Sequence, residues 1–376
     1  MSHNMNESLS FVANNPTSSA LAALRLSLAH GIGTHIAKQL IETCGSIEAI
    51  WQHNAETWAN IPRVGPKLLA ALETARHQSL DNILQTCQEY HLHLIGMEDD
   101  VYPTLLREID DAPLILFVQG NLEALQHKHC LAMVGSRKSS QESKLIARRW
   151  SQYFSDLGIS IISGMAYGID AAAHRGALQG NTPTIAILGC GLATLQHRQQ
   201  EQVAAIIEHG GCVISEYLPT QTARPEFFPR RNRIIAGMSQ GTIIVEADIR
   251  SGSLITARLA NEYGRDVFAV PGSVLHDGHA GCHQLIRDGA ALLTDDVEHI
   301  IQHLAWQLQS TPKTIIQGEN ELEKQIITAL QRETLHLDAL SESCGLTVPQ
   351  LSPILLALEL QGVIERLPGS RYTLGG

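Results

Sequence analysis

From Val101 to about Thr294 the chain repeats one pattern, a short apolar run rich in Val and Ile followed by a stretch with helical spacing. The runs fall at residues 114–118, 131–134, 160–162, 184–188, 212–215, 242–246, 266–270 and 291–293. None alternates apolar with polar residues, so each run needs cover on both faces. Strands of that kind, separated by helices, build a parallel sheet between helical layers. The expected fold class is α/β, centred on an extended Rossmann-like parallel sheet.

The residues that end the runs share a chemistry. They read Gly135-Ser136-Arg137, Ser163-Gly164-Met165, Gly189-Cys190-Gly191, Ser215-Glu216, Glu246-Ala247 and Pro271-Gly272. In an open parallel sheet, ligands bind beyond the carboxyl ends of the strands. Small residues there let the backbone close on a phosphate, and the helix N-termini that follow favour an anion. One such turn would mean little, but a whole rim of them points to a site. The segment Phe227-Phe228-Pro229-Arg230-Arg231-Asn232-Arg233 adds three arginines within four positions. A guanidinium fork fits phosphate oxygens in pairs, and an aromatic face accepts an unpaired base. Alone, an Arg-Arg pair reads as solvated surface or a salt-bridge anchor. Beside this rim it reads as part of a nucleic-acid or nucleotide phosphate site.

Charge restricts that site to a local feature. The 376 residues carry 38 Asp plus Glu against 27 Lys plus Arg, a net charge of -11, which argues against indiscriminate coating of nucleic acid. The length suffices for two or three domains. No apolar run reaches membrane-span length and no signal pattern opens the chain, so a cytoplasmic protein without a membrane partner is expected. The seven cysteines (Cys44, Cys87, Cys130, Cys190, Cys212, Cys282, Cys344) form no CxxC pair and suit free, mostly buried thiols in a reducing compartment.

The flanks differ in texture. Residues 1–19 are polar and expected to be disordered. Residues 20–99 read as a helical domain with two apolar-x-Gly turns, Ala29-His30-Gly31-Ile32-Gly33 and Ile61-Pro62-Arg63-Val64-Gly65-Pro66-Lys67. Such turns expose backbone N–H groups to phosphate in helix-hairpin-helix units, and they equally serve small helical domains as simple reversals. Five bases against four acids between Ala20 and Arg76 do not favour DNA. The sheet domain is expected over 100–302 and a linker over 303–320, with Pro312 and Gly318 as breakers. Residues 321–376 have winged-helix spacing. Their recognition-helix segment, 347–361, has no Lys or Arg, and the module carries seven acids against four bases, a net of -3. A groove-reading helix needs phosphate-neutralising charge beside it, so this module reads as a protein-contact or packing domain.

Other chemistries find less support. No Gly-x-x-x-x-Gly-Lys-Ser/Thr loop is present, and Gly189-Cys190-Gly191-Leu192-Ala193-Thr194 is half a dinucleotide fingerprint with Thr194 in the third glycine position. His276, His279, Cys282 and His283 have zinc-compatible spacing, but one Gly-rich loop supplies no four-ligand geometry, and no metal or cofactor is expected. His174 reads as a packed histidine more readily than a general base. Glu246 and Asp248, beside Ser251-Gly252-Ser253, make the best enzyme candidate, although nothing nearby would activate a hydroxyl.

Taken in order, these motifs resemble the DprA/Smf family of DNA-processing proteins. The resemblance is carried by Asp100-Val101-Tyr102-Pro103, Gly135-Ser136-Arg137, Ser163-Gly164-Met165-Ala166-Tyr167-Gly168-Ile169-Asp170, His174, and Leu188-Gly189-Cys190-Gly191-Leu192. It continues through Phe228-Pro229-Arg230-Arg231-Asn232-Arg233-Ile234-Ile235-Ala236-Gly237, Ser251-Gly252-Ser253-Leu254-Ile255-Thr256-Ala257, Val270-Pro271-Gly272 and Leu285-Ile286-Arg287-Asp288-Gly289. It implies a cytoplasmic homodimer that binds single-stranded DNA without sequence preference and loads the RecA recombinase during natural transformation, without catalysis. It also implies that Arg137 binds phosphate and that Arg230, Arg231 and Arg233 form a second basic element with Asn232. Gly135, Ser136, Ser163, Gly164, Gly189 and Gly191 would cradle the backbone while Phe228 stacks. Many relatives carry a Tyr-Pro or His-Pro turn and a basic residue after Gly-Leu. Here Ala193 to Gln199 replaces that turn, with Arg198 in the basic position. Glu142-Ser143 and His283-Gln284 depart from the pattern as well. The flanking segments are similar to the family's helical (SAM/helix-hairpin-helix-like) and winged-helix domains. The rival reading is a nucleotide-processing enzyme similar to nucleoside-monophosphate hydrolases, with Gly241-Thr242 to Glu246 as phosphate turn and acid.

Overall fold

The apolar runs assemble into one sheet in this computed structural model, which describes residues 15–306, 321–360 and 363–374. Most of the expected polar tail and most of the linker lie outside the described residues. In chain order the strands are β1 (His93–Gly96), β2 (Ile115–Gly120), β3 (Cys130–Val134), β4 (Ser160–Ser163), β5 (Ile185–Ile187), β6 (Cys212–Ser215), β7 (Gly241–Ile244), β8 (Asp266–Ala269) and β9 (Leu292–Leu293). They hydrogen-bond in the order β1-β2-β6-β5-β4-β3-β7-β8-β9. From β6 to β9 every pairing is parallel. The chain winds from β3 outward to β6, then returns past β3 to lay down β7, β8 and β9. The topological switch point therefore lies between the carboxyl ends of β3 and β7, where this class of sheet opens its crevice.

One end of the sheet departs from the parallel expectation. β2 runs antiparallel to β6, and β1, unforeseen in the sequence, pairs antiparallel with β2 in the register His93↔Val118 to Gly96↔Ile115. An apolar run covered on both faces carries no direction of its own. The connection sets the direction, and between β2 and β3 there is only a single 3-10 turn, Leu122–Gln126, in place of a crossover helix.

The N-terminal helices are α1 (Ser18–Leu28), α2 (Thr34–Cys44), α3 (Ala55–Ala59), α4 (Pro66–His77) and α5 (Asp81–Glu89). Thr17 caps α1 by accepting from the Ala20 N–H at 2.9 Å, inside the segment expected to be a tail. Gly33 and Gly65, from the two glycine turns, open α2 and α4. Fully buried Leu24, Leu40, Trp58 and Leu72 share a core with Phe117, Ala186 and Val213, so these helices pack on one face of the sheet. The short α6 (Thr104–Arg107) leads to β2. Around the strands follow α7 (Gln141–Asp156), α8 (Ile169–Ala177), α9 (His197–Glu208), α10 (Phe227–Gly237), α11 (Ser253–Glu262), α12 (Ala280–Arg287) and α13 (Val297–His303). α10 and α11 cover the other face with Ile234, Ile235, Ala257 and Ala260.

The described residues beyond 320 form a separate compact unit. It contains α14 (Glu321–Arg332), β10 (Leu335–His336), α15 (Leu337–Cys344), α16 (Val348–Leu360), β11 (Ile364–Leu367) and β12 (Arg371–Leu374). Its sheet, β10-β12-β11, is antiparallel, and the β11–β12 hairpin turns at Gly369 with a left-handed φ of 80°. Ile326, Leu340, Leu351, Leu355 and Tyr372 make its core. This is the winged-helix arrangement its spacing called for. Among the described residues no helix is long and apolar enough to cross a membrane.

Candidate nucleic-acid interface

A cleft of about 590 Å³ opens at the switch point. Gly135, Ser136, Arg137 and Lys138 wall it from the end of β3, Phe228, Pro229, Arg231 and Asn232 from the first turns of α10, and Asp248, Ser251, Gly252, Ser253, Ile255 and Thr256 from the approach to α11 and its start. Arg137 and Lys138 are exposed, and the Arg137 guanidinium lies 5.4 Å from the centre of the Phe228 ring. Phe228 is half-buried and lies along Gly189, where a Cβ would come within 3.1 Å of the ring. Gly189 therefore makes room for the aromatic group. The Asn232 side chain donates to the Gly252 carbonyl at 3.3 Å and ties α10 to the loop before α11. Phe227, the other candidate stacking ring, is buried and stacks on Tyr217 at 4.1 Å.

The arginine run does not act as one basic strip, because it lies on a helix whose successive side chains point about 100° apart. Arg230 is exposed, with its Nε 3.7 Å from the Glu216 carboxylate. Arg233 is buried and makes a two-pronged ion pair with Glu216 at 2.9 and 2.6 Å, with Asp111 at 3.5 Å. Its donors are engaged inside the protein, which removes it from the expected phosphate contacts. Arg231 is 4% exposed, lies beneath Gly164 and donates to the Ile187 carbonyl. Burial pushes the Arg231 guanidinium below its usual range, Asp170 opposes that, and Arg137 adds to it.

Asp170 corrects a second expectation. Its buried carboxylate gathers the N–H groups of Ala166 (3.4 Å), Gly164 and Gly135, the last two belonging to residues expected to cradle phosphate. Burial raises its pKa against the pull of Arg231 and these N–H groups. Ser163 is likewise turned inward, donating to the Met133 carbonyl at 2.6 Å. Gly191 sends its N–H to the Gln221 carbonyl at 2.7 Å, and a Cβ there would strike the Leu218 and Pro219 carbonyls. Of the expected cradle, Gly135 and Ser136 stay on the cleft wall, while Ser163, Gly164 and Gly191 serve the packing behind it. Arg198 is exposed on the first turn of α9. That helix starts without the family's proline because the Gln199 side chain accepts the Gln196 N–H at 3.2 Å.

The enzyme candidates are occupied too. Glu246 is 4% exposed and accepts from the Ser140 N–H (2.9 Å) and hydroxyl (2.8 Å), while Ser140 itself caps α7. Burial works to raise its pKa, but hydrogen bonds from Ser143 and Ser140 outweigh it and hold the carboxyl below its usual range. His279 sits 3.4 Å from the Ser143 hydroxyl, His283 contacts the Gly272 carbonyl at 3.1 Å, and Cys282 is fully buried. No group of three or more metal-binding side chains occurs among the described residues. His174 is buried with Nδ1 2.9 Å from the Thr184 hydroxyl.

The sequence model for DNA recombination-mediator protein A matches residues 93–305, and that for the DprA winged-helix domain matches 310–370. The chain belongs to the DprA/Smf family. It is 38% identical to Protein Smf of Escherichia coli over 79% of this chain and 81% of that protein. It is 45% identical to DNA processing protein DprA of Streptococcus pneumoniae over 52% of this chain and 69% of the other. The crystal structure of the pneumococcal DprA superposes with a TM-score of 0.64 at 32% identity, covering 78% of this chain and 99% of that one. DNA processing protein A of Helicobacter pylori, described for its single-stranded DNA binding mode, superposes with a TM-score of 0.52 at 26% identity, covering 58% and 99%.

Two outcomes follow for stability. Arg233→Ala removes the two-pronged partner of the buried Glu216 carboxylate, leaving it only the exposed Arg230 at 3.7 Å, and should cost about 3 kcal/mol in urea unfolding, whereas Arg230→Ala should change little; equal effects would contradict the division of the run. Burial, reinforced by Arg231, lowers the His174 pKa to about 4 from 6.5. The folded state thus resists protonation, so the contribution is complete above pH 6.5 and is lost as pH falls toward 4, amounting to about 3 kcal/mol. Asp170 acts in the opposite sense, so the measurement is the difference between wild type and His174→Gln across that window. Parallel stability curves would refute the assignment.

Proposed function

We propose that this chain binds single-stranded DNA without sequence preference in the switch-point cleft and acts as a recombination mediator. The observation that carries the reading is the Arg137–Phe228 pair at the cleft, an exposed cation beside a half-buried ring, in a protein of net charge -11. Arg137 and Lys138 meet phosphates, Phe228 offers its face to a base, and Arg230 extends the cationic wall. The H. pylori relative's single-stranded DNA binding supports the same use of the fold here. In this reading the protein is a non-catalytic homodimer of the cytoplasm that hands its strand to RecA. Family membership supports the hand-off, and the exposed Leu292 and Leu293 on edge strand β9 support association of two copies. The engagement of Glu246 by Ser140 and Ser143 counts against nucleotide hydrolysis.

Fluorescence anisotropy of a labelled oligothymidine at several salt concentrations tests the site. Arg137→Ala should weaken binding to all sequences alike and reduce the slope of log K against log salt by about 1; an unchanged slope with unchanged affinity would refute it. Truncation after residue 320 should leave affinity within about twofold, since the winged helix supplies little phosphate-neutralising charge. A tenfold or greater loss on truncation would assign that module to DNA.

A further inference from the structure

Tyr167 is 67% exposed, and the Arg198 guanidinium lies 5.4 Å from its ring centre. A single exposed aromatic needs no explanation. This one repeats the cation–ring pairing of Arg137 with Phe228, and it does so next door. Tyr167 stands in the loop between β4 and α8, whose backbone is fixed at both ends. The Ala166 N–H is held by Asp170 at 3.4 Å, and the Ile169 N–H donates to the Ser136 carbonyl at 3.3 Å. Gly168 adopts a left-handed φ of 85°, and a Cβ there would lie 2.8 Å from the Arg137 carbonyl oxygen. The Tyr167 loop is thus pressed against the Arg137 loop, leaving the ring in solvent on a rigid stem. Arg198 approaches from α9, after β5. Phe228 lies along Gly189 at the end of β5 and Arg137 follows β3, so the Tyr167–Arg198 pair and the Arg137–Phe228 pair stand side by side on one rim.

We propose that Tyr167, backed by Arg198, is a second base-stacking station that receives single-stranded DNA as it leaves the cleft and lengthens the bound segment by a few nucleotides. The proposal rests on the single-stranded DNA reading above. A tyrosine ring accepts any base, so the station adds affinity and length without adding sequence preference. The test uses the full chain, oligothymidines of increasing length, and the shortest oligothymidine that gives full affinity, carrying one abasic residue moved along it. Wild type should lose affinity at two separate abasic positions. Tyr167→Ala should bind the shortest oligonucleotides as wild type does, bind the full-length one about tenfold more weakly, and lose one of the two sensitive positions. Tyr167→Phe should restore both. A Tyr167→Ala profile identical to wild type would overturn the second station while leaving the cleft reading intact. Absence of wild-type binding would overturn both.

Discussion

A guanidinium enclosed at the carboxyl ends of the central strands sets the terms for the rest of the site. Arg231, nearly free of solvent, needs a counter-charge, and Asp170 supplies it. A buried carboxylate in turn needs hydrogen-bond donors, and it finds them in the N–H groups of Gly135, Gly164 and Ala166. Those amides belong to the loops after β3 and β4. The Asp170 carboxylate thereby holds both loops, and the residues they present outward, Arg137 and Tyr167, inherit a fixed position. The same enclosure explains the glycine at 164, whose missing side chain leaves space for the Arg231 guanidinium, and contributes to the depressed pKa of His174.

This arrangement separates two kinds of charge. Cations that stabilise the fold, Arg231 and Arg233, are turned inward and matched by Asp170, Glu216 and Asp111. Those that face water, Arg137, Lys138, Arg198 and Arg230, border the rim. With a Debye length of about 8 Å at physiological ionic strength, the distant acids that make the molecule net negative are largely screened from the rim. They still disfavour phosphate elsewhere on the surface. A net charge of -11 is thus compatible with a local strand-binding edge, and it sharpens that edge.

The sheet was legible because strands buried on both faces leave unbroken apolar runs, and most of those runs became strands within a residue or two. β1 was not legible: His93-Leu94-Ile95-Gly96 has only two apolar residues of strand type, and its partner β2 lies 19 residues further on. The direction of β2 was equally hidden. At the site, the Gly-Ser-Arg turn and Phe228 could be read from local motif and order. The fate of the three arginines could not, because Glu216 and Asp111 reach Arg233 from distant positions in the chain. A helical period applied to residues 227–237 sets Arg231 about 100° away from Arg230, but it leaves Arg230 and Arg233, three residues apart, on one face and does not tell the exposed one from the buried one. Tyr167 lies among small residues in Ser163-Gly164-Met165-Ala166-Tyr167-Gly168, and only the approach of Arg198 gives its ring a role.

Under the proposed function, a rim built this way suits holding a strand. The buried acids that catalysis would need are already coordinated: Glu246 supports the start of α7, and Asp170 neutralises Arg231. The outward groups are water-facing cations and aromatic faces, which bind any sequence through many individually modest contacts. Affinity then grows with the length of strand engaged and falls as contacts are released one at a time. A partner competing for the same strand can displace such a protein progressively, without having to break a single deep interaction. For a mediator, whose strand must be given up as readily as it is taken, this distribution of contacts serves better than one tight pocket.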